Sequence, residues 1–166
     1  MEILADGLRK AAMAELEGHN FYLMAAATTK DQKGKEVLML LAREEMDHFK
    51  FLKTHYESVQ ETGKLSETAK LGARGDFDEA WPIFSTELKG RAGEAHYEMT
   101  ALSIGIQLEQ DAMKFYKELS QKVADPKAQS FFEELAEWEK GHYHALLNQQ
   151  EALKHDYWEG AGFEPF

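Results

Sequence analysis

Six residues carry the chemistry open to this chain: Glu15, Glu45, His48, Glu109, Glu139 and His142. They form two sets with the same internal spacing. A glutamate is followed six and seven residues later by Phe21-Tyr22 or Phe115-Tyr116, and thirty residues later by a Glu-x-x-His. Residues 15–52 overlie residues 109–146 without an insertion, and Asp31, Lys33, Leu41, Ala42 and Leu52 recur as Asp125, Lys127, Leu135, Ala136 and Leu146. A lone Glu-x-x-His is a weak signal, since roughly one is expected by chance in a chain so rich in glutamate. The duplication is what gives the pattern weight. Four carboxylates and two imidazoles at repeat-related positions are the ligand inventory of a two-metal site. With no cysteine in the chain, thiolate metal sites, disulfides and thiol catalysis are excluded, so any metal is held by nitrogen and oxygen.

Helices must position these groups. Apolar residues recur at three- and four-residue steps nearly throughout, which predicts an all-α chain. The first helix is drawn from Leu4 to Thr29, the second from Gln32 to Tyr56, the third from Gly93 to Val123 and the fourth from Pro126 to Lys154. Asp31 and Asp125 supply N-caps, and Pro126 suits a first helical turn. Short links make each pair an antiparallel hairpin. One domain is expected over 1–166: a hairpin at 4–56, a crossover at 57–92, a second hairpin at 93–154 and a tail at 155–166. The crossover holds Gly63, Gly72, Gly75, Pro82 and Gly90, too much punctuation for one helix, with a short helix expected at Asp76–Trp81. It returns along the bundle and starts the third helix parallel to the second. The tail from Glu159 is too rich in glycine and proline for helix, and its aromatics suggest docking onto a surface.

Each of the four glutamates interrupts an apolar stripe, for example Leu8-Ala11-Ala12-Glu15-Tyr22 on the first helix and Phe131-Phe132-Leu135-Glu139-His142-Leu146 on the fourth. Burying an isolated carboxylate costs several kcal/mol, and here four converge. Two divalent ions cancel four carboxylates, and two neutral imidazoles complete the set without adding charge. Each Glu-x-x-His can clasp one metal from one helix face, with Glu15, Glu109 or both bridging. Tyr22 and Tyr116 share the stripes and can donate hydrogen bonds to the ligands. His19 also lies on the Glu15 stripe, read as a core histidine. Glu98 faces inward but sits eleven residues before Glu109, about 16 Å of rise away. His55, His96, His144 and His155 read as surface or packing residues.

A net charge of -11 argues against binding a phosphate backbone, and no stretch approaches the ~18 apolar residues of a membrane span. The amino-terminal residues show no targeting pattern, so a cytoplasmic protein is expected.

The segments Ala-Glu-Leu-Glu-Gly-His-Asn-Phe-Tyr, Arg-Glu-Glu-Met-Asp-His-Phe, Gln-Leu-Glu-Gln-Asp-Ala-Met-Lys-Phe-Tyr and Glu-Trp-Glu-Lys-Gly-His-Tyr resemble the di-iron domain of the rubrerythrin family. That family lies within the ferritin-like di-iron carboxylate proteins. The resemblance covers essentially the whole chain and implies a ferritin-like four-helix bundle in which Glu15, Glu45, His48, Glu109, Glu139 and His142 hold two iron ions. The same donors would accept manganese or zinc. Two departures stand out. Full-length rubrerythrins add a rubredoxin-like iron domain held by four cysteines, so electrons here are expected from a separate donor such as a rubredoxin-like protein. Rubrerythrins proper also tend to carry a further glutamate one turn after the third-helix ligand, where this chain has Ala112, so the resemblance does not extend to the redox-linked iron shift associated with that family's peroxide chemistry.

The resemblance implies a non-haem di-iron oxidoreductase that reduces hydrogen peroxide or dioxygen, working as a homodimer. The alternatives are a ferroxidase for iron storage or detoxification, and a metal-stabilised binding module without turnover.

Overall fold

The computed structural model describes residues 2–72, 83–90 and 95–160, with Lys89 and residues 155–160 described by backbone alone. Helices α1 (Glu2–Thr28), α2 (Gln32–Thr62), α3 (Thr86–Lys89), α4 (His96–Lys122) and α5 (Pro126–Gly160) account for nearly all of it, and there is no strand among the described residues. The all-α reading therefore holds, with differences at the ends. Helix α2 continues six residues past Tyr56, because nothing from Glu57 to Thr62 breaks a helix and Val59 is buried on the inward face. It stops at Gly63, whose φ of 75° lets its N–H reach back to the Val59 carbonyl. Helix α5 likewise runs past Lys154 and through Glu159, ending at the first glycine after that point, Gly160. The four-residue α3 was not foreseen; Ser85 caps it by accepting the Leu88 N–H at 3.2 Å. The helix expected at Asp76–Trp81, the start of the third helix at Gly93 and the docking of the last six residues lie outside the described residues.

Helices α1 and α2 pack as one hairpin, α4 and α5 as the other, and α1 lies against α4. Asp31 caps α2 as expected, accepting the Gly34 N–H at 2.7 Å. Asp125 accepts the Lys127 N–H at 3.0 Å at the start of α5. Two apolar clusters form, one including Leu38, Leu41, Phe84, Leu102 and Leu146, the other Leu8, Leu52, Leu119, Phe132 and Leu135. The ligand candidates lie along the same inward stripes, between these clusters.

The crossover is tied down at both ends. Near its start the Ser66 N–H donates to Nδ1 of His55 at 3.1 Å. Near its end the Ser85 N–H and hydroxyl both donate to the Asp31 carboxylate. His55 and Asp31 are 24 residues apart on or beside α2, roughly 36 Å of helix, so the two anchors lie near opposite ends of α2. Thr29 contacts Glu98 at one end, and Leu52, Val59, Leu119 and Val123 share a cluster at the other, so α4 runs parallel to α2. Phe84 seats directly on Gly34, where an added Cβ would come within 2.3 Å of its ring; only glycine permits this approach. No described helix is long and apolar enough to cross a membrane.

Candidate metal centre

All six predicted residues converge. Ligand atoms of Glu15, Glu45, His48 and Glu139 lie within 4.8 Å of one another, and so do those of Glu45, Glu109, Glu139 and His142. Every one of these side chains is buried, Glu139 and His142 completely. The two groups share Glu45 and Glu139. The shared carboxylates are therefore those of the Glu-x-x-His pairs, whereas Glu15 and Glu109, expected to bridge, each belong to one group. The reason is geometric: α2 and α5 each carry a Glu-x-x-His, and their glutamates reach the middle while α1 and α4 approach from either side.

Both imidazoles turn Nδ1 to the centre. His48 Nδ1 lies 3.1 Å from Glu139 and 3.4 Å from Glu15. His142 Nδ1 lies 3.3 Å from both Glu45 and Glu139 and 3.7 Å from Glu109. The rings stack at a centroid distance of 5.9 Å. No lysine or arginine among the described residues pairs with the four glutamates, and Glu45 Oε1, both Glu139 oxygens and His48 Nδ1 are buried without a directed hydrogen bond. Buried polar atoms are normally satisfied, and unsatisfied ones aimed at a common point are what a bound cation would complete. The donor set of carboxylate oxygen and imidazole nitrogen fits a pair of divalent ions.

Electrostatics without a metal lead the same way. Burial pushes the Glu45 carboxyl well above the ordinary value of 4.5, and the neighbouring Glu15 and Glu109 charges push it further. Burial likewise raises Glu109, to about 7, against the pull of His142. Although burial disfavours a charged imidazole, the Glu139 carboxylate holds His48 protonated well above 6.5, and Glu109 does the same for His142. Burial also opposes ionisation of Glu139, but the two protonated histidines outweigh it and lower its pKa. In the metal-free protein, protons do the neutralising that metals would otherwise do.

The tyrosines cross over. Tyr22 on α1 donates to Glu109 on α4, and Tyr116 on α4 donates to Glu15 on α1. Each hydroxyl thus fixes the carboxylate of the other half of the repeat. Burial raises both phenol pKa values, with Glu109 next in importance for Tyr22 and Glu15 for Tyr116, so both stay protonated donors.

Residues 6–154 match the family model described as Rubrerythrin. The chain belongs to the rubrerythrin family. Comparison with curated proteins and with solved structures gives no match. A buried cluster of glutamate and histidine in an all-α bundle is what membership in the rubrerythrin family leads one to expect, and the cluster fits a di-metal site.

A cleft of about 380 Å³ opens between α1 and α4 onto Glu15, Glu45 and Glu109. Its walls are repeat-related pairs: Glu17 with Asp111, Gly18 with Ala112, Tyr22 with Tyr116. Small residues keep it open. A Cβ at Gly18 would sit 3.3 Å from Glu45 Oε2, and the repeat-related position holds the small Ala112.

Three further buried groups, Glu44, His55 and Glu98, and the half-buried His19 each have a partner in the bundle. Sequence reading missed Glu44, which is buried and whose Oε2 lies 2.8 Å from His142 Nε2. The signal was available, since the residue 94 positions later is Trp138, a sign that this helix position faces protein. His55, read as a surface or packing residue, is buried and anchors the crossover. Glu98 is buried away from the centre, accepting from the Thr29 hydroxyl at 2.8 Å. His19 points its Nδ1 at the Ala42 carbonyl, 2.6 Å away, in keeping with a core histidine.

Proposed function

We propose that this protein is a non-haem di-iron oxidoreductase that reduces hydrogen peroxide or dioxygen with electrons from a separate donor. The observation that carries the reading is the convergence of four carboxylates and two imidazoles, buried, without lysine or arginine partners among the described residues, at the foot of an open cleft. In this reading Glu15 and His48 would hold one iron and Glu109 and His142 the other, with Glu45 and Glu139 within reach of both. Two adjacent irons would supply the electron pair that cleaving an oxygen–oxygen bond requires.

The chain's own groups do the rest. Glu17 and Asp111 place negative charge at the cleft mouth, which favours entry of cations and of neutral peroxide or dioxygen over anions. Apolar walls at Ala14, Leu108 and Phe115 limit water beside the ligands. Tyr22 and Tyr116 hold their protons at the hydroxyls facing Glu109 and Glu15, fixing the orientation of each carboxylate. These 166 residues contain no cysteine to hold a rubredoxin-like iron, and in this reading the electrons would come from a separate donor such as a rubredoxin-like protein. We place the protein in the cytoplasm as a homodimer.

The test is anaerobic loading with ferrous iron followed by peroxide. Stoichiometric peroxide loss with the near-ultraviolet absorption of ferric iron is expected. Absence of both would contradict the reading, and sedimentation as a large closed shell would favour iron storage instead.

A further inference from the structure

The repeat that makes the ligand set symmetric is broken one residue before each Glu-x-x-His glutamate. Glu44 precedes Glu45, and Trp138 precedes Glu139. Each of these residues lies against the ligand histidine of the other hairpin. His142 turns Nδ1 to the centre and its Nε2 to Glu44, 2.8 Å from Oε2. His48 turns Nδ1 to the centre too, but its Nε2 is buried with no hydrogen-bond partner among the described residues. Its ring stands at 83° to the Trp138 indole, with centroids 5.3 Å apart.

A carboxylate accepting the outer N–H of an imidazole fixes the tautomer, locks the ring and raises electron density at the inner nitrogen. An indole does none of these as strongly. Glu44 also adds a fifth buried carboxylate, on one side only, beyond the four that two divalent ions balance. Both effects favour the same metal position. A buried carboxylate is itself costly to desolvate, and the N–H of His142 offsets part of that cost.

Resting on the di-metal reading above, we propose that the two metal positions are unequal: the one built from Glu109 and His142 binds more tightly and fills first, with Glu44 as the positioning residue that makes it so.

The test uses cobalt(II) alone, added to metal-free protein at one equivalent per chain. In crystals of the wild-type protein, anomalous scattering should place the cobalt beside His142. Isothermal titration should resolve two steps, and Glu44→Gln, which keeps the shape and loses the charge, should weaken the first about 10- to 100-fold and spread the single equivalent over both positions. The wild-type occupancy stands even if the variant folds poorly. Cobalt beside His48, equal occupancy in the wild type, or an unaltered first step in a folded Glu44→Gln protein would overturn the proposal while leaving the di-metal reading intact. Folded wild-type protein that binds no cobalt would overturn both.

Discussion

Where α1 turns into α2, the Thr29 hydroxyl donates to the buried Glu98 carboxylate at 2.8 Å. At the opposite end, where α4 turns into α5, the repeat-related positions hold Val123 and Leu4, packed into an apolar cluster. The same two places in the duplicated hairpin are thus filled by a polar pair once and an apolar pair once. Two turns beyond the ligand histidines the comparison runs differently: His55 and Gln149 are both buried, both polar, and both grip the crossover. His55 accepts the Ser66 N–H as the crossover departs, and Gln149 accepts the N–H groups of Ile83 and Phe84 as it arrives. The lesson is one of constraint. In the middle turns both halves must supply ligands, so both read alike. At the ends burial only has to be satisfied, and either chemistry achieves it.

The largest effect is expected where backbone donors would be orphaned. Each buried donor left without a partner costs about 1–3 kcal/mol, so Gln149→Leu, which strands two buried N–H groups, should lower stability at least twice as far as His55→Leu, which strands the half-buried N–H of Ser66. Denaturant unfolding would show it; equal losses would mean that the two anchors do not work as described.

A smaller effect is expected from moving the apolar pair of one end into the other. Thr29→Val alone removes the donor to a buried carboxylate and should cost about 1–3 kcal/mol. Glu98→Leu added to it should recover the part of that loss owed to the carboxylate, because replacing both partners with apolar groups of similar size can be nearly neutral, while the Asp31 N–H that Thr29 also accepts stays without its hydroxyl. A double-mutant cycle with no coupling between the two sites would remove the equivalence drawn between the ends.

The gentlest test is pH, at most about 1.4 kcal/mol per pH unit for each proton retained. Between 4.5 and about 7, folded Glu109 keeps a proton that the unfolded chain has released, so stability of the metal-free protein falls as pH rises. His48 and His142, raised above 6.5, contribute stability present below that value and lost as pH climbs through their folded pKa values. Glu139, lowered, acts the other way, but only below 4.5. Metal-free protein should therefore melt at a higher temperature at pH 5.5 than at pH 8. Metal-loaded protein should show the reverse order, since metals displace these protons.

The four long helices, their pairing into two hairpins and the meeting of six side chains were legible in the sequence. Amphipathic periodicity and a duplicated ligand spacing are local signals, and both survive folding unchanged. What was not legible depended on neighbours far along the chain. Trp138 at the repeat-related position marks Glu44 as facing protein, but its partner His142 shows only once α5 packs against α2. Glu45 and Glu139 prove to be the shared carboxylates only once the hairpins face each other. His55 and Gln149 carry no motif, because their partners are backbone groups of the crossover. The six-residue extension of α2 rests on the burial of Val59, a tertiary contact that outlasts the local pattern.

The central claim is that a pair of metal ions neutralises the acidic interior between the hairpins. The most direct measurement is the number of ferrous ions held per chain at equilibrium dialysis under anaerobic conditions, in the wild type and in Glu139→Ala, which removes a carboxylate common to both positions. Two tightly held ions in the wild type and weakened binding of both in the variant are predicted. One ion or none in the wild type, or a variant that binds two as tightly, would contradict the account.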